Sequence, residues 1–108
     1  TILIHAAAGG VGLIMCQWAK HLGATVIGTV GTPAKARLAA AHGCDYPIVY
    51  TRQDFVQRVK RITKGELVPV VYDSIGNATF PASLDCLRPL VSRRGVMISP
   101  AEGRICIR

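Results

Sequence analysis

Acidic side chains are scarce in this chain. Six Asp and Glu stand against 13 Lys and Arg in 108 residues, and no acidic residue precedes Asp45. The resulting formal charge of +7 raises the question of nucleic acid. The basic cluster from Arg52 to Lys64, however, reads as the solvated face of an amphipathic helix, without the row of aromatic rings on which bases stack. No nucleic-acid partner is expected. No C-x-x-C pair occurs among Cys16, Cys44, Cys86 and Cys106, which excludes a zinc ribbon or a thioredoxin-like motif and suits buried, reduced thiols in a cytoplasmic protein. His5, His21 and His42 are equally dispersed, so no metal site is expected. A membrane helix needs about 20 predominantly apolar residues. Here the longest apolar run is broken by His5, Gly9, Gly10, Gly12 and Gln17, and no membrane span is expected. The start at Thr1 lacks a basic n-region, unlike a signal peptide, and suggests a piece of a longer chain.

Half of the residues are hydrophobic. An Ala- and Val-rich core accounts for that, as does surface meant for a neighbour. A single domain of this length buries roughly two-thirds of its unfolded surface. Ile2 to His5 is a short apolar run entering an Ala/Gly turn, as a buried strand does. From there Val11, Ile14, Met15, Trp18, Ala19 and Leu22 form one face of an amphipathic helix that Gly23 stops, and Thr25 to Val30 is a β-branched run. Strand, helix and strand fill about thirty residues, the size of one βαβ unit. Thr32 is an N-cap and Pro33 a first helical residue for an Ala-rich helix ending at Gly43. Then follow an extended stretch, Pro47 to Thr51, a helix from Asp54 to Thr63, a strand from Val68 to Tyr72, a helix from Thr79 to Leu87 and a strand from Gly95 to Ser99. The alternation predicts an α/β fold: a Rossmann-type, doubly wound, mostly parallel sheet of about five strands with helices on both faces.

The first turn carries the chemistry. Its frame, Ala7-Ala8-Gly9-Gly10-Val11-Gly12, matches the dinucleotide pattern G-x-G-x-x-G with Ala in the first place. Small residues form the turn, Gly9 lets backbone N–H groups approach a pyrophosphate, and Gly12 lets helix and strand pack closely. A helix N-terminus there carries about half a positive charge. A site for NAD usually adds an acid about twenty residues on, to accept from the ribose hydroxyls. Thr29, Val30 and Gly31 occupy that place, and Lys35 and Arg37 follow. A cation there complements the 2'-phosphate of NADP. Solvated helix positions are the alternative for both side chains.

The stretches IHAAAGGVGLIMCQWAKHLGATVIGTVGTPAKA, VYDSIG and SLDCLRP resemble the cofactor domain of the zinc-independent quinone oxidoreductases. These form the zeta-crystallin-like branch of the medium-chain dehydrogenase/reductase superfamily, and the resemblance runs from Ile2 to about Ser99. It implies a Rossmann domain binding NADPH, in an enzyme that passes hydride to quinones or α,β-unsaturated carbonyls. By position it implies that Ala8, Gly9, Gly10 and Val11 face the pyrophosphate and that Lys35 and Tyr50 hold the 2'-phosphate. Gly28 and Thr29 would border the adenosine ribose, and Ser74, Gly76 and Asn77 would lie in the stretch lining the cofactor cleft.

Beyond Ser99 the resemblance stops, at Ser99-Pro100-Ala101-Glu102 and the tail GRICIR. The family's sixth strand and its barrel-like domain have no counterpart in the sequence, and whether Ile105 to Ile107 forms a strand is open. The fifth strand is then expected to leave one edge unpaired, and such edges invite a second copy; cofactor domains of the superfamily also commonly mediate dimers. No Ser-His-Asp, paired-carboxylate or metal set replaces the second domain, and Tyr72, Asp73 and Ser74 read as a strand end. The chain alone is therefore expected to bind NADPH without turnover, quinone being a substrate of the longer enzyme. A noncatalytic NADP-binding or interaction module is the alternative.

Overall fold

The computed structural model describes residues 1–75, 79–88, 96–99 and 104–107. Ten elements alternate along them: β1 (Ile2–Ile4), α1 (Gly10–His21), β2 (Val26–Val30), α2 (Pro33–Ala41), β3 (Tyr46–Val49), α3 (Phe55–Ile62), β4 (Val70–Tyr72), α4 (Phe80–Cys86), β5 (Val96–Ser99) and β6 (Arg104–Ile107). They build one six-stranded sheet in the order β3-β2-β1-β4-β5-β6. The first five strands are parallel neighbours, and β6 runs antiparallel to β5, with Val96 opposite Ile107 and Ser99 opposite Arg104. The sheet thus has six strands rather than about five. The outer edge of β5, expected to be unpaired, is paired with β6 from the divergent tail.

Local chemistry explains the helix boundaries. Thr32 accepts from the Lys35 N–H at the start of α2, with Pro33 in the first helical position. Asp54 accepts from the N–H groups of Val56 and Gln57 at the start of α3. Gly23, with φ of 87°, ends the turn after α1 in a conformation that suits glycine.

Side chains alternate across the sheet. On one face Leu3, Ile27, Ile48 and Val71 meet Val59 of α3 and Cys86 of α4. On the other, Ile4, Val26 and Val30 meet Cys16 of α1 and Ala39 of α2. Helices therefore cover both faces. Cys16, Cys44 and Cys86 are free and buried. Among the described residues no helix is long and apolar enough to cross a membrane.

The buried side of α1 differs from the sequence expectation. Gly12 and Cys16 are its buried residues, whereas Val11, Ile14, Trp18 and Leu22 are 60 to 69% exposed. The cause is close approach: an ideal Cβ on Gly12 would lie 2.2 Å from the Ala6 carbonyl oxygen and 2.9 Å from Ala7 Cα and C. A helix held that near the strand must turn its small residues inward. Its large apolar residues form an outer stripe. Farther along, Lys20 of α1 bridges to Asp45 at 2.6 Å, and Asp45 also accepts from the Val26 N–H at 2.8 Å. Burial pushes the Asp45 carboxyl up, but the Lys20 ammonium and the Val26 N–H outweigh it and hold it below its usual value.

Candidate functional site: the first turn and the cleft at the strand ends

The path from β1 to α1 is compressed. Ala6 adopts a left-handed φ of 53°, a conformation costing roughly 1–2 kcal/mol for a residue with a Cβ. Its carbonyl accepts from the Gly9 N–H at 3.0 Å. That carbonyl faces the first turn of α1, where a Cβ on Gly9 would approach it to 3.3 Å and one on Gly12 would collide with it. A Cβ on Gly10 would meet nothing within 4 Å. The glycines thus divide the work: Gly9 and Gly12 admit the folded-back backbone, and Gly10 lies on the open side.

Unlike α2 and α3, α1 has no side-chain cap at its N-terminus, where Gly9 is the cap residue, and no acid in its first turn. The first N–H groups of a helix lack intrahelical acceptors. Together with the helix dipole they favour an anion at this point.

In front of the turn lies a cavity of about 180 Å³ lined by Ala6, Ala8, Gly9, Val30, Gly31, Lys35, Tyr50 and Ile75. These residues end or follow β1, β2, β3 and β4, on the carboxyl side of the sheet where β1 lies between β2 and β4 and the winding reverses. A neighbouring cavity of about 380 Å³ is floored by His5 and Thr29 and walled by Gln53, Asp54, Phe55 and Thr79. Tyr50 and Ile75 line both.

The expected site residues are distributed unevenly. Ala8, Gly9, Lys35 and Tyr50 share the first cavity, and Thr29 is in the second. Gly28 lies within β2, where a Cβ would stand 2.6 Å from Ala7 Cβ and 2.9 Å from Cys44 Sγ; it provides room beneath the turn. Gly12 is buried, Gly10 and Val11 are exposed, and Ser74 is exposed at the end of β4. Gly76 and Asn77 fall outside the described residues. The apolar Ile75, next to Ser74, lines both cavities.

Beneath the larger cavity is a buried polar chain that spacing does not reveal. His5 is bonded through Nδ1 to Thr29 Oγ1 at 2.8 Å and through Nε2 to Ser83 Oγ at 2.7 Å. Ser83 Oγ donates to Asp73 Oδ2 at 2.9 Å, and Thr79 Oγ1 donates to the same carboxylate at 2.6 Å. With the Ser83 proton on Asp73, the hydroxyl accepts from Nε2–H and Nδ1 accepts from Thr29, which assigns the tautomer. The order is the reverse of a hydrolytic triad, in which His accepts the Ser proton, and Ser83 is fully buried. The chain ties the ends of β1, β2 and β4 to α4. Burial holds the His5 pKa below its usual value, with the Asp73 charge acting in the opposite direction. The Phe55 ring meets His5 edge-on at 4.9 Å.

A family model described as zinc-binding dehydrogenase matches residues 10–93. Among the described residues no group of three or more His, Cys, Asp or Glu side chains could hold a metal ion, so zinc finds no fitting ligand set in them. The chain is 61% identical over 88 residues to a 2-haloacrylate reductase from a Burkholderia species, covering 82% of this chain and 26% of that protein. It is 58% identical over 97 residues to quinone oxidoreductase 1 of Escherichia coli, covering 90% and 28%. The crystal structure of Escherichia coli quinone oxidoreductase complexed with NADPH superposes with a TM-score of 0.84 at 57% identity, over 91% of this chain and 29% of that one. This chain thus spans little more than a quarter of the length of these relatives. The glycine turn, the doubly wound sheet and these likenesses agree: the chain belongs to the zinc-binding dehydrogenase family, within the quinone oxidoreductases of the medium-chain dehydrogenase/reductase superfamily.

Proposed function

We propose that this chain binds NADPH at the carboxyl ends of β1 to β4, as the cofactor-binding part of an oxidoreductase acting on quinones or α,β-unsaturated carbonyls. The observation that carries the reading is the uncapped N-terminus of α1, with the Lys35-lined cavity in front of it. In it the backbone of Ala8, Gly9, Gly10 and Val11 serves the pyrophosphate, with Gly12 as the packing residue that lets the helix approach. Lys35 and Tyr50 hold the 2'-phosphate. Tyr50 and Ile75, shared by both cavities, offer flat and apolar walls to a ring. Thr29 and Gly28 form the floor near the ribose, Thr29 with its hydroxyl engaged by His5. Ser74 lies at the end of β4, and the family resemblance alone assigns it, Gly76 and Asn77 to the cofactor.

NADPH supplies the hydride when bound; the residues of this chain bind and orient it. Hydride transfer also requires an acceptor held in near contact with water excluded, and the matched region is 28% of the length of the Escherichia coli relative. For these residues alone the reading is binding without turnover. Mixing the purified chain with NADPH and a quinone tests it. Saturable binding with no loss of NADPH absorbance is expected, and quinone-dependent NADPH oxidation by the chain alone would overturn the noncatalytic part.

A second reading, a noncatalytic interaction module, draws on the exposed α1 stripe. Contiguous apolar patches of several hundred Å² mark association surfaces. Self-association, first expected at the β5 edge, has its better support at Val11, Ile14, Trp18 and Leu22.

A further inference from the structure

Two thiols that the nucleotide site does not use lie close together beneath it. Cys16, in the middle of α1, and Cys44, just before β3, belong to one buried cluster. Several independent contacts place them together. An ideal Cβ on Gly43 would stand 3.1 Å from both Cys16 O and Lys20 Cβ, so the chain before Cys44 crosses α1 at that turn. One helical turn along α1, Lys20 reaches Asp45, the residue after Cys44. Cys16 Sγ donates to Ala7 O at 3.8 Å. Cys44 Sγ and Ala7 Cβ both fill the space left by the missing side chain of Gly28, at 2.9 and 2.6 Å from its ideal Cβ. The two sulfurs thus flank Ala7, and Cys44 Sγ donates to Val26 O at 3.8 Å.

We propose that Cys16 and Cys44 are a modification site, closing reversibly to a disulfide on two-electron oxidation by a peroxide. The Cys16 thiolate attacks the peroxide; an S–O bond forms as the O–O bond breaks, and the departing hydroxide takes a proton. Cys44 sulfur then attacks the sulfenic sulfur, forming S–S and breaking S–O, and its proton leaves with the second hydroxide as water. With hydrogen peroxide, two thiols and one peroxide give one disulfide and two waters. The roles follow the environment: the neighbouring Cys44 thiol holds Cys16 below its usual pKa, whereas Cys16 and burial push Cys44 up. The thiolate, not the thiol, is the nucleophile, so the sulfur that deprotonates more readily attacks first.

The test treats the folded full chain with millimolar hydrogen peroxide, blocks remaining thiols, digests with trypsin without reductant and maps the peptides by mass. Lys20, Arg37 and Arg52 are cleavage sites, so Cys16 lies in Thr1–Lys20 and Cys44 in Leu38–Arg52, two peptides that separate unless linked. The expected result is this pair joined in more than half of the chains, released by dithiothreitol, and favoured at least tenfold over links to Cys86 or Cys106. In urea-unfolded chain the preference should vanish. Cys44→Ala should remove the link and leave Cys16 as a sulfenic acid trapped by dimedone; if that variant does not fold, the wild-type map decides alone. Free or overoxidised Cys16 and Cys44 in the folded wild type, or the same mixture of links folded and unfolded, would overturn the proposal.

Discussion

Gly12→Ala should destabilise the fold through one contact. The added methyl would lie 2.2 Å from the Ala6 carbonyl oxygen and 2.9 Å from two backbone atoms of Ala7. Favourable contacts of such atoms lie near 3.5 Å or beyond, so α1 must retreat by about 1 Å. All three obstacles are backbone, part of a turn that is already left-handed at Ala6, and no side chain can rotate aside. Overpacking costs about 1–3 kcal/mol, and this site belongs at the upper end. Ala gains back roughly 0.5–1 kcal/mol over Gly in a helix. The net loss is about 2 kcal/mol, a roughly thirtyfold change in the folding equilibrium and a Tm lower by about 10 °C for a domain of this size. Urea denaturation followed by the fluorescence of Trp18, the single Trp, measures it. Gly10→Ala is the matched control, since its methyl meets nothing within 4 Å; it should unfold at the wild-type midpoint or later. A Gly12→Ala variant as stable as wild type would refute the reasoning that close approach sets the packing of α1.

Three further perturbations separate the other claims. His5 is held neutral with its pKa below the unfolded value of 6.5, so stability is complete above that pH and is lost as pH falls from it towards the lower native pKa. The wild-type urea midpoint should drop between pH 7.5 and 5.5, less so in His5→Gln, and a flat wild-type profile would contradict the buried neutral imidazole. Asp45→Asn should cost about 1 kcal/mol or less, because the Lys20 bridge is largely exposed. Asp45→Ala should cost about 1–3 kcal/mol by leaving the Val26 N–H unpaired; equal urea midpoints for the two variants would argue against that backbone role. Sedimentation at high concentration should show association of the wild type and a monomer for Trp18→Glu, whereas a monomeric wild type would remove the argument from the α1 stripe.

Features with local causes were legible in the sequence. Thr32 with Pro33, and Asp54 ahead of an apolar period, announce α2 and α3 because a cap acts within one turn. The strand and helix alternation yields the doubly wound sheet for the same reason. The orientation of α1 was not legible, since the helix is apolar on more than one side and only the collision at Gly12 shows which side must face the sheet. β6 depends on a pairing register with β5, which the tail's composition does not encode. At the site, Ala8, Gly9, Lys35 and Tyr50 line one cavity. Ile75 was hidden because an apolar residue in a loop carries no chemical signature. His5 and Ser83 are 78 positions apart, and nothing in their spacing joins them; the pairing of β1 with β4 does.

The central claim is that the α1 N-terminus and Lys35 together select NADPH. Equilibrium titration of the purified chain with NADPH and with NADH, repeated on Lys35→Ala, tests it most directly. A charge-assisted contact to the 2'-phosphate predicts NADPH binding at least about tenfold tighter than NADH, with Lys35→Ala removing most of the difference. Equal affinities in the wild type, or binding of neither nucleotide, would contradict the account.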